Sequence, residues 1–289
     1  MPSVHVNTPF HNEGWLFKET LKNWYWYNVD EFVFVDDNST DDSVDVIKES
    51  LGNRATIIKS SNGAWHESGV RSAAWEYSRS KGADVLISLD ADELLSNTLS
   101  RNWGLMLQDA SVGAIYCPQL NIVDNTFARR RNDPAYANNI RDFIHPMKYS
   151  GKFANYGAYH SPRCPNSASY GGVVAECSFF HLQSANVKYY ALKQLWYKVF
   201  EFINYGYSPE HINGRYDSVV NGLDFQPVDV LPEYYSGLRI DFGIFERRIK
   251  DDQRFRFLAE QHKALKDNVE YQKLITFGKD ILEEYCNSI

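Results

Sequence analysis

Residues 31–52 read EFVFVDDNSTDDSVDVIKESLG. EFVFV (31–35) is a short apolar run closed by acids, the pattern of a buried strand. A helix is expected to follow at once. Ser39 or Thr40 can cap it, Asp41 and Asp42 sit where the helix dipole favours acids, and Gly52 is the stop. Val44, Ile47 and Leu51 are expected to face inward. A strand running straight into a helix is half of a β-α-β unit.

The same alternation extends on both sides. SVHVN (3–7) reads as a strand entering Thr8-Pro9, and Phe17, Leu21 and Trp24 recur at helical spacing between Asn12 and Tyr27. ATIIK (55–59) is a third strand. Val70, Ala73, Ala74 and Tyr77 mark a third helix ended near Gly82, and 84–89 makes a fourth strand. Right-handed crossovers turn this series into a parallel sheet with helices on both faces. Ligands of such sheets bind beyond the carboxyl ends of the strands. The groups gathered there are Thr8-Pro9-Phe10, Asp36-Asp37-Asn38, Ser60-Ser61-Asn62 and Asp90-Ala91-Asp92.

Further on, a helix is expected near 97–109 and a strand at VGAIYCPQL (112–120). Residues 121–184 are less regular, with Arg129–Arg131 in a basic loop and a late apolar run, VVAECSFFHL (173–182). From Asn186 the pattern is helical, with Tyr189, Leu192, Leu195, Trp196, Val199 and Phe202 on one face. PVDVLPEYYSG (227–237) reads as a loop, and 244–285 as charged helices.

Composition narrows the function. Of 289 residues, 44% are hydrophobic, enough for a full core, and aromatics reach 15%, which suits sugar faces or a ring-rich interior. The net charge is −7, and residues 1–100 carry 16 Asp/Glu against 8 Lys/Arg, which argues against a nucleic-acid partner. Cys117, Cys164, Cys177 and Cys286 show no zinc spacing and read as reduced thiols. MPSVHVNTPF has no signal-peptide pattern, and no window approaches the roughly 20 apolar residues of a membrane span. A soluble, cytoplasmic protein is expected.

In VLISLDADELL (85–95), Asp90, Asp92 and Glu93 crowd the end of an apolar strand. Like charges this close resist joint ionisation. A hard cation, Mn²⁺ or Mg²⁺, removes the repulsion and keeps positions open for substrate phosphates. The other reading is a helix N-terminus decorated with acids, which the dipole favours, with Glu93 capping the following turn. No GxGxxG or GxxxxGK[ST] loop is present to cradle a diphosphate, so a cation is the available device. VDDNSTDDS supplies a second acidic strand end able to accept hydrogen bonds from a base or ribose.

Taken together, Pro9-Phe10-His11-Asn12-Glu13, FVFVDDNSTDDS, GVRSAAWEYSRSKGAD and LISLDADE resemble glycosyltransferase family 2, nearest to its lipopolysaccharide-core-type transferases. The resemblance implies a GT-A type α/β fold: a Rossmann-like, mostly parallel sheet flanked by helices, with a C-terminal helical extension. It implies a domain over 1–184, with a nucleotide-sugar half at 1–118 and an acceptor half at 119–184, then helices over 185–289. It further implies transfer of a hexose from a nucleotide-diphosphate sugar, such as a UDP-sugar, to a glycan, lipid-linked or other hydroxyl acceptor, with inversion. Thr8, Pro9, Phe10, Glu13, Asp37, Asn38, Arg71, Asp90 and Ala91 would line the nucleotide site. Asp90, Asp92 and His181 would hold Mn²⁺ or Mg²⁺.

One segment departs from that pattern. Where the related transferases carry Gly-x-x-His-Glu, this chain has Gly157-Ala158-Tyr159-His160-Ser161, so the base is open among Asp142, His160 and Glu176. His is chemically suited because its pKa lies near working pH. KYYALKQLWYKVF (188–200) carries lysines that would let a helix lie on the inner face of a membrane, and its rings could also make a homodimer. A sugar nucleotidyltransferase would want a Gly-rich basic loop after the first strand, where NTPFHNEGW stands. A binding module that kept the fold and lost turnover is the non-enzymatic alternative.

Overall fold

The computed structural model describes residues 2–60, 67–96, 114–123, 126–130, 140–147, 163, 170–173, 179–221, 225–230 and 232–289. The chain opens with β1 (Val4–Phe10), α1 (Gly14–Trp24), β2 (Glu31–Asp36), α2 (Ser43–Leu51), β3 (Ala55–Lys59), α3 (Glu67–Ser80) and β4 (Val85–Ser88). Next come β5 (Glu93–Leu95), β6 (Ala114–Val123), β7 (Thr126–Arg130), β8 (Ile140–Pro146), β9 (Tyr170–Val173) and β10 (Phe179–His181). The remainder is α4 (Val187–Tyr205), α5 (Pro209–Asn221), β11 (Phe225–Pro227), α6 (Pro232–Tyr235), α7 (Gly243–Asp251), α8 (Gln253–Leu265), α9 (Val269–Ile275) and α10 (Lys279–Cys286). The helix expected near 97–109 lies outside the described residues.

Two compact units interleave along the chain. One holds Met1–Leu120, Asn138–His181 and Asp229–Ile240; the other holds Asn121–Ala137, Leu182–Val228 and Asp241–Ile289.

In the first unit the four expected strands form a parallel sheet in the order β4-β1-β2-β3. β8 joins β4 antiparallel, and β6 joins β8 antiparallel. β1 and β4 are buried along their whole length, as central strands covered on both faces must be. An aromatic cluster holds α1 to the sheet. Phe17 meets Phe10 and Phe34 edge-on, and the Trp24 ring stacks on Phe32 and Phe34. The Trp24 indole N–H also donates to the Glu93 carbonyl at 3.0 Å, and the Leu95 N–H donates to the Tyr27 hydroxyl at 2.7 Å. This cluster therefore fixes where β5 starts.

α2 begins at Ser43, later than the Ser39 or Thr40 cap predicts, because those residues are used elsewhere. The Ser39 N–H donates to Asp36 Oδ1, its hydroxyl accepts the Asn12 N–H, and the Thr40 N–H donates to Asn12 Oδ1. The inward face is Val46, Ile47 and Leu51, while Val44 of the expected face is half-buried. Gly14 marks how closely α1 approaches α2. A Cβ there would meet the Ser43 backbone nitrogen at 2.9 Å.

β1 also buries His5, whose Nδ1 lies 3.2 Å from the Ser78 hydroxyl. Burial lowers its pKa below the ordinary 6.5, against the opposing pull of Glu31 and Asp30. The unfolded chain then binds the proton more readily than the folded one, so stability is full above pH 6.5 and is lost as pH falls below it. Urea midpoints measured between pH 7.5 and 5.5 are expected to fall in the native protein and to fall less in His5→Gln.

In the second unit, residues 121–123 pair antiparallel with β7, and β7 pairs with β11. Arg129 and Arg130 thus stand in a strand, not the loop expected, because their backbone is held in this ladder; Arg131 lies outside the described residues. The side chain of Asn186 caps α4 by accepting the Tyr189 N–H at 2.8 Å. Tyr189, Leu192, Leu195 and Val199 are buried, while Trp196 and Phe202 of the expected face are half-buried. Three buried charges are each paired: Lys198 with Asp217, Glu201 with Arg215, and Asp252 with Arg254. The stretch 227–237, expected as a loop, contains the end of β11 and the single turn α6, which belongs to the first unit. Among the described residues no helix is long and apolar enough to cross a membrane.

Candidate functional site

Register places the ends of three strands at one edge of the sheet: Phe10 pairs with Asp36, and Asn7 with Ser88. The loops leaving β1 and β2 are laced together. The Asp37 N–H donates to the Phe10 carbonyl at 3.0 Å, and His11 Nδ1 lies 2.6 Å from the Asp37 carbonyl. Asn12 and Asn38 both turn through the left-handed region, at φ 55° and 59°. Asn tolerates that region better than most residues with a Cβ.

Two polar atoms are buried in this corner. Thr8 is 1% exposed and Asp37 5%, and neither Thr8 Oγ1 nor Asp37 Oδ1 has a hydrogen-bond partner among the described residues. Leaving such an atom unsatisfied costs about 1–3 kcal/mol, so a ligand bearing N–H or O–H groups would recover that cost. Pro9 lies within β1 beside Thr8. The Phe10 ring is buried against Phe17 and Phe34 and belongs to the core. Glu13 occupies the N-cap of α1, its carbonyl accepting the Phe17 N–H at 2.9 Å. Asn38 forms the turn after Asp37.

The acids after β4 are divided between different partners. Asp90 is held by two guanidiniums, with Arg71 Nη2 at 2.9 Å from Oδ1 and Arg163 Nη2 at 2.7 Å from Oδ2. Arg71 is itself anchored by Glu67, at 2.7 Å. Burial would raise the Asp90 pKa, but Arg163 and Arg71 outweigh it and keep the carboxyl below the usual carboxylate range. Ala91 fills the buried turn between the acids.

Glu93 is fully buried at the start of β5, where its carbonyl meets Trp24. Arg163 grips its carboxylate with both terminal nitrogens, at 2.7 and 2.9 Å, and the Asp90 N–H donates to it at 2.9 Å. Glu93 therefore closes the turn before it, not the following one as expected, because the chain continues as β5 in place of a helix, and it is also one half of a buried ion pair. Burial pushes its pKa up against the opposing pull of Arg163.

Asp92 faces another way. Its Oδ2 lies 3.5 Å from His181 Nε2, because β10 pairs antiparallel with β5 and sets His181 opposite Glu93. Among the described residues no three His, Cys, Asp or Glu side chains converge into a ready-made metal cage. Asp92 and His181 are nonetheless a carboxylate and an imidazole side by side, a donor pair that suits Mn²⁺ when substrate phosphates and water complete the shell.

The base candidates are placed less fully. Asp142 lies on β8, its backbone paired with Tyr116 of β6. His160 and Glu176 lie outside the described residues. Sequence reasoning missed Arg163 and Glu67. Arg163 stands 70 residues beyond Glu93 in an irregular stretch, and its only sequence signal is the unbalanced charge of residues 90–93, which demands cations from somewhere.

The model of glycosyl transferase family 2 matches residues 6–163. Comparison with curated proteins finds no match. Among solved structures, S. aureus TarS 1–349 in complex with UDP-GlcNAc is 13% identical, with a TM-score of 0.48, over 99% of this chain and 92% of that one. Glucosyl-3-phosphoglycerate synthase from Mycobacterium tuberculosis, crystallised with Mn²⁺, UDP and glucosyl-3-phosphoglycerate, is 17% identical with a TM-score of 0.32. That match covers 42% of this chain and 44% of the synthase.

Proposed function

Because the chain belongs to glycosyl transferase family 2, we propose that it moves a hexose from a nucleotide-diphosphate sugar, a UDP-sugar, to a hydroxyl of a glycan or lipid-linked acceptor, with inversion. The observation that carries this reading is the Asp92–His181 pair at the strand edge that also buries Thr8 Oγ1 and Asp37 Oδ1. Asp37 can accept a hydrogen bond from a base or ribose, and Thr8 can donate or accept one. Asp92 and His181 would hold Mn²⁺ or Mg²⁺, which when bound offsets the charge of the diphosphate leaving group. Arg71 and Arg163 keep Asp90 ionised at the same edge. Inversion needs one group to take the acceptor proton, and Asp142, His160 and Glu176 are the candidates.

Calorimetry with UDP, with and without Mn²⁺, tests the reading. Binding at least about tenfold tighter with the metal is expected, together with release of UDP from a donor sugar during turnover. Equal affinity in EDTA would remove the metal from the proposal. Metal-dependent binding with no turnover on any donor would identify a binding module instead.

A further inference from the structure

We infer that Arg163 is a positioning residue that withdraws Asp90 and Glu93 from the cation site, leaving Asp92 and His181 as the protein's share of it. The inference rests on the metal-assisted reading above. Residues 90–93 carry three carboxylates, and β-pairing brings His181 beside them. A divalent cation offered such a group would be chelated in several competing ways, since carboxylates bind in one- or two-oxygen modes with little directional demand. Arg163 is the one side chain that reaches both Asp90 and Glu93, and Arg71 assists it at Asp90. Arg163 Nη1 donates to Glu93 Oε2 at 2.7 Å and to the Ser88 carbonyl at 3.0 Å, while Nη2 donates to Asp90 Oδ2 at 2.7 Å and Glu93 Oε1 at 2.9 Å.

The Ser88 hydroxyl in turn donates to the Arg163 carbonyl at 3.3 Å, tying the residue's backbone to the end of β4. The fork thus spans both carboxylates and the strand that precedes them. Arg71 takes the second oxygen of Asp90. Asp92, two residues on, meets His181 instead. A planar guanidinium can bridge two carboxylates at fixed angles, which the point charge of a lysine does less well.

The test measures Mn²⁺ binding to the nucleotide-free protein by the electron paramagnetic resonance of unbound Mn²⁺. The chains compared are native, Asp92→Asn, Arg163→Met, Arg163→Lys and the Asp92→Asn/Arg163→Met double variant. Asp92→Asn is expected to weaken Mn²⁺ at least about tenfold. Arg163→Met is expected to tighten it by about tenfold or more, because a neighbouring positive charge is gone and Asp90 becomes a ligand. The double variant is expected to bind Mn²⁺ more tightly than Asp92→Asn alone, because the freed carboxylates then stand in for Asp92. Arg163→Lys, which retains the charge but bridges the two carboxylates less well, should fall between native and Arg163→Met.

In turnover, Arg163→Met is expected to lose about 10–100-fold in kcat/KM for the donor despite binding metal more tightly, a split that simple loss of fold would not produce. Arg163→Gln gives the same comparison if the Met variant does not melt cooperatively. A folded, uncharged variant with native or weaker Mn²⁺ affinity overturns the inference while the metal reading stands. Equal Mn²⁺ binding by the native protein and Asp92→Asn overturns both.

Discussion

Asp92→Asn is expected to lower kcat/KM for the sugar donor roughly a hundred- to thousandfold. The substitution keeps the size of the side chain and removes its charge, so the fold has little reason to change. What it removes is the carboxylate beside His181, at 3.5 Å, in the proposed cation site. A cation at a departing diphosphate contributes several kcal/mol to the transition state, and each 1.4 kcal/mol is about tenfold in rate. Steady-state kinetics across a Mn²⁺ titration check this, with a thermal melt to confirm folding. A variant that keeps native turnover and the native response to Mn²⁺ would show that Asp92 does not hold the cation.

Glu93→Ala is expected to cost about 3–5 kcal/mol of stability, read from urea unfolding. Two losses combine. The carboxylate that accepts both nitrogens of Arg163 disappears, leaving a guanidinium that is only 15% exposed without its principal counter-charge. The Asp90 N–H loses its acceptor in the same step. Breaking one side of a buried pair is costly because the remaining charge has little water to turn to. The exposed pair Lys18–Asp42 makes the contrast: both side chains are about half exposed, and Lys18→Ala should cost under about 1 kcal/mol. A Glu93→Ala loss as small as that would mean Arg163 finds full compensation in Asp90.

The parallel sheet was legible because its signals are local. A run such as EFVFV, short, β-branched and aromatic and closed by acids, reads as a covered strand, and α1 and α3 repeat at the spacing of a helix face. The start of α2 was not legible. Ser39 and Thr40 are good caps by type, and nothing within 31–52 shows that Asn12, on another loop, donates to the Ser39 hydroxyl and accepts the Thr40 N–H. The same holds for the strand β7. Arg129 and Arg130 look like a solvated basic run until β11, nearly 100 residues later, pairs with them.

At the site, the acids were legible and their allotment was not. The DADE stretch announces more negative charge than a strand end can hold by itself, and that is a statement about composition and spacing. Which carboxylate goes to which cation depends on side chains that arrive from α3, from β10 and from residue 163.

The sequence alone determined the order of strands and helices from β1 to β4, and that an acidic edge lies beyond the strands; it did not foresee β5. Apolar periodicity and charge spacing act between residues close in the chain, so they can be read there. Tertiary structure alone decided that Asp90 and Glu93 close on Arg163 while Asp92 meets His181. Coulombic pairing between buried groups is set by distance in space, and these pairs span about 70 to 90 residues of chain.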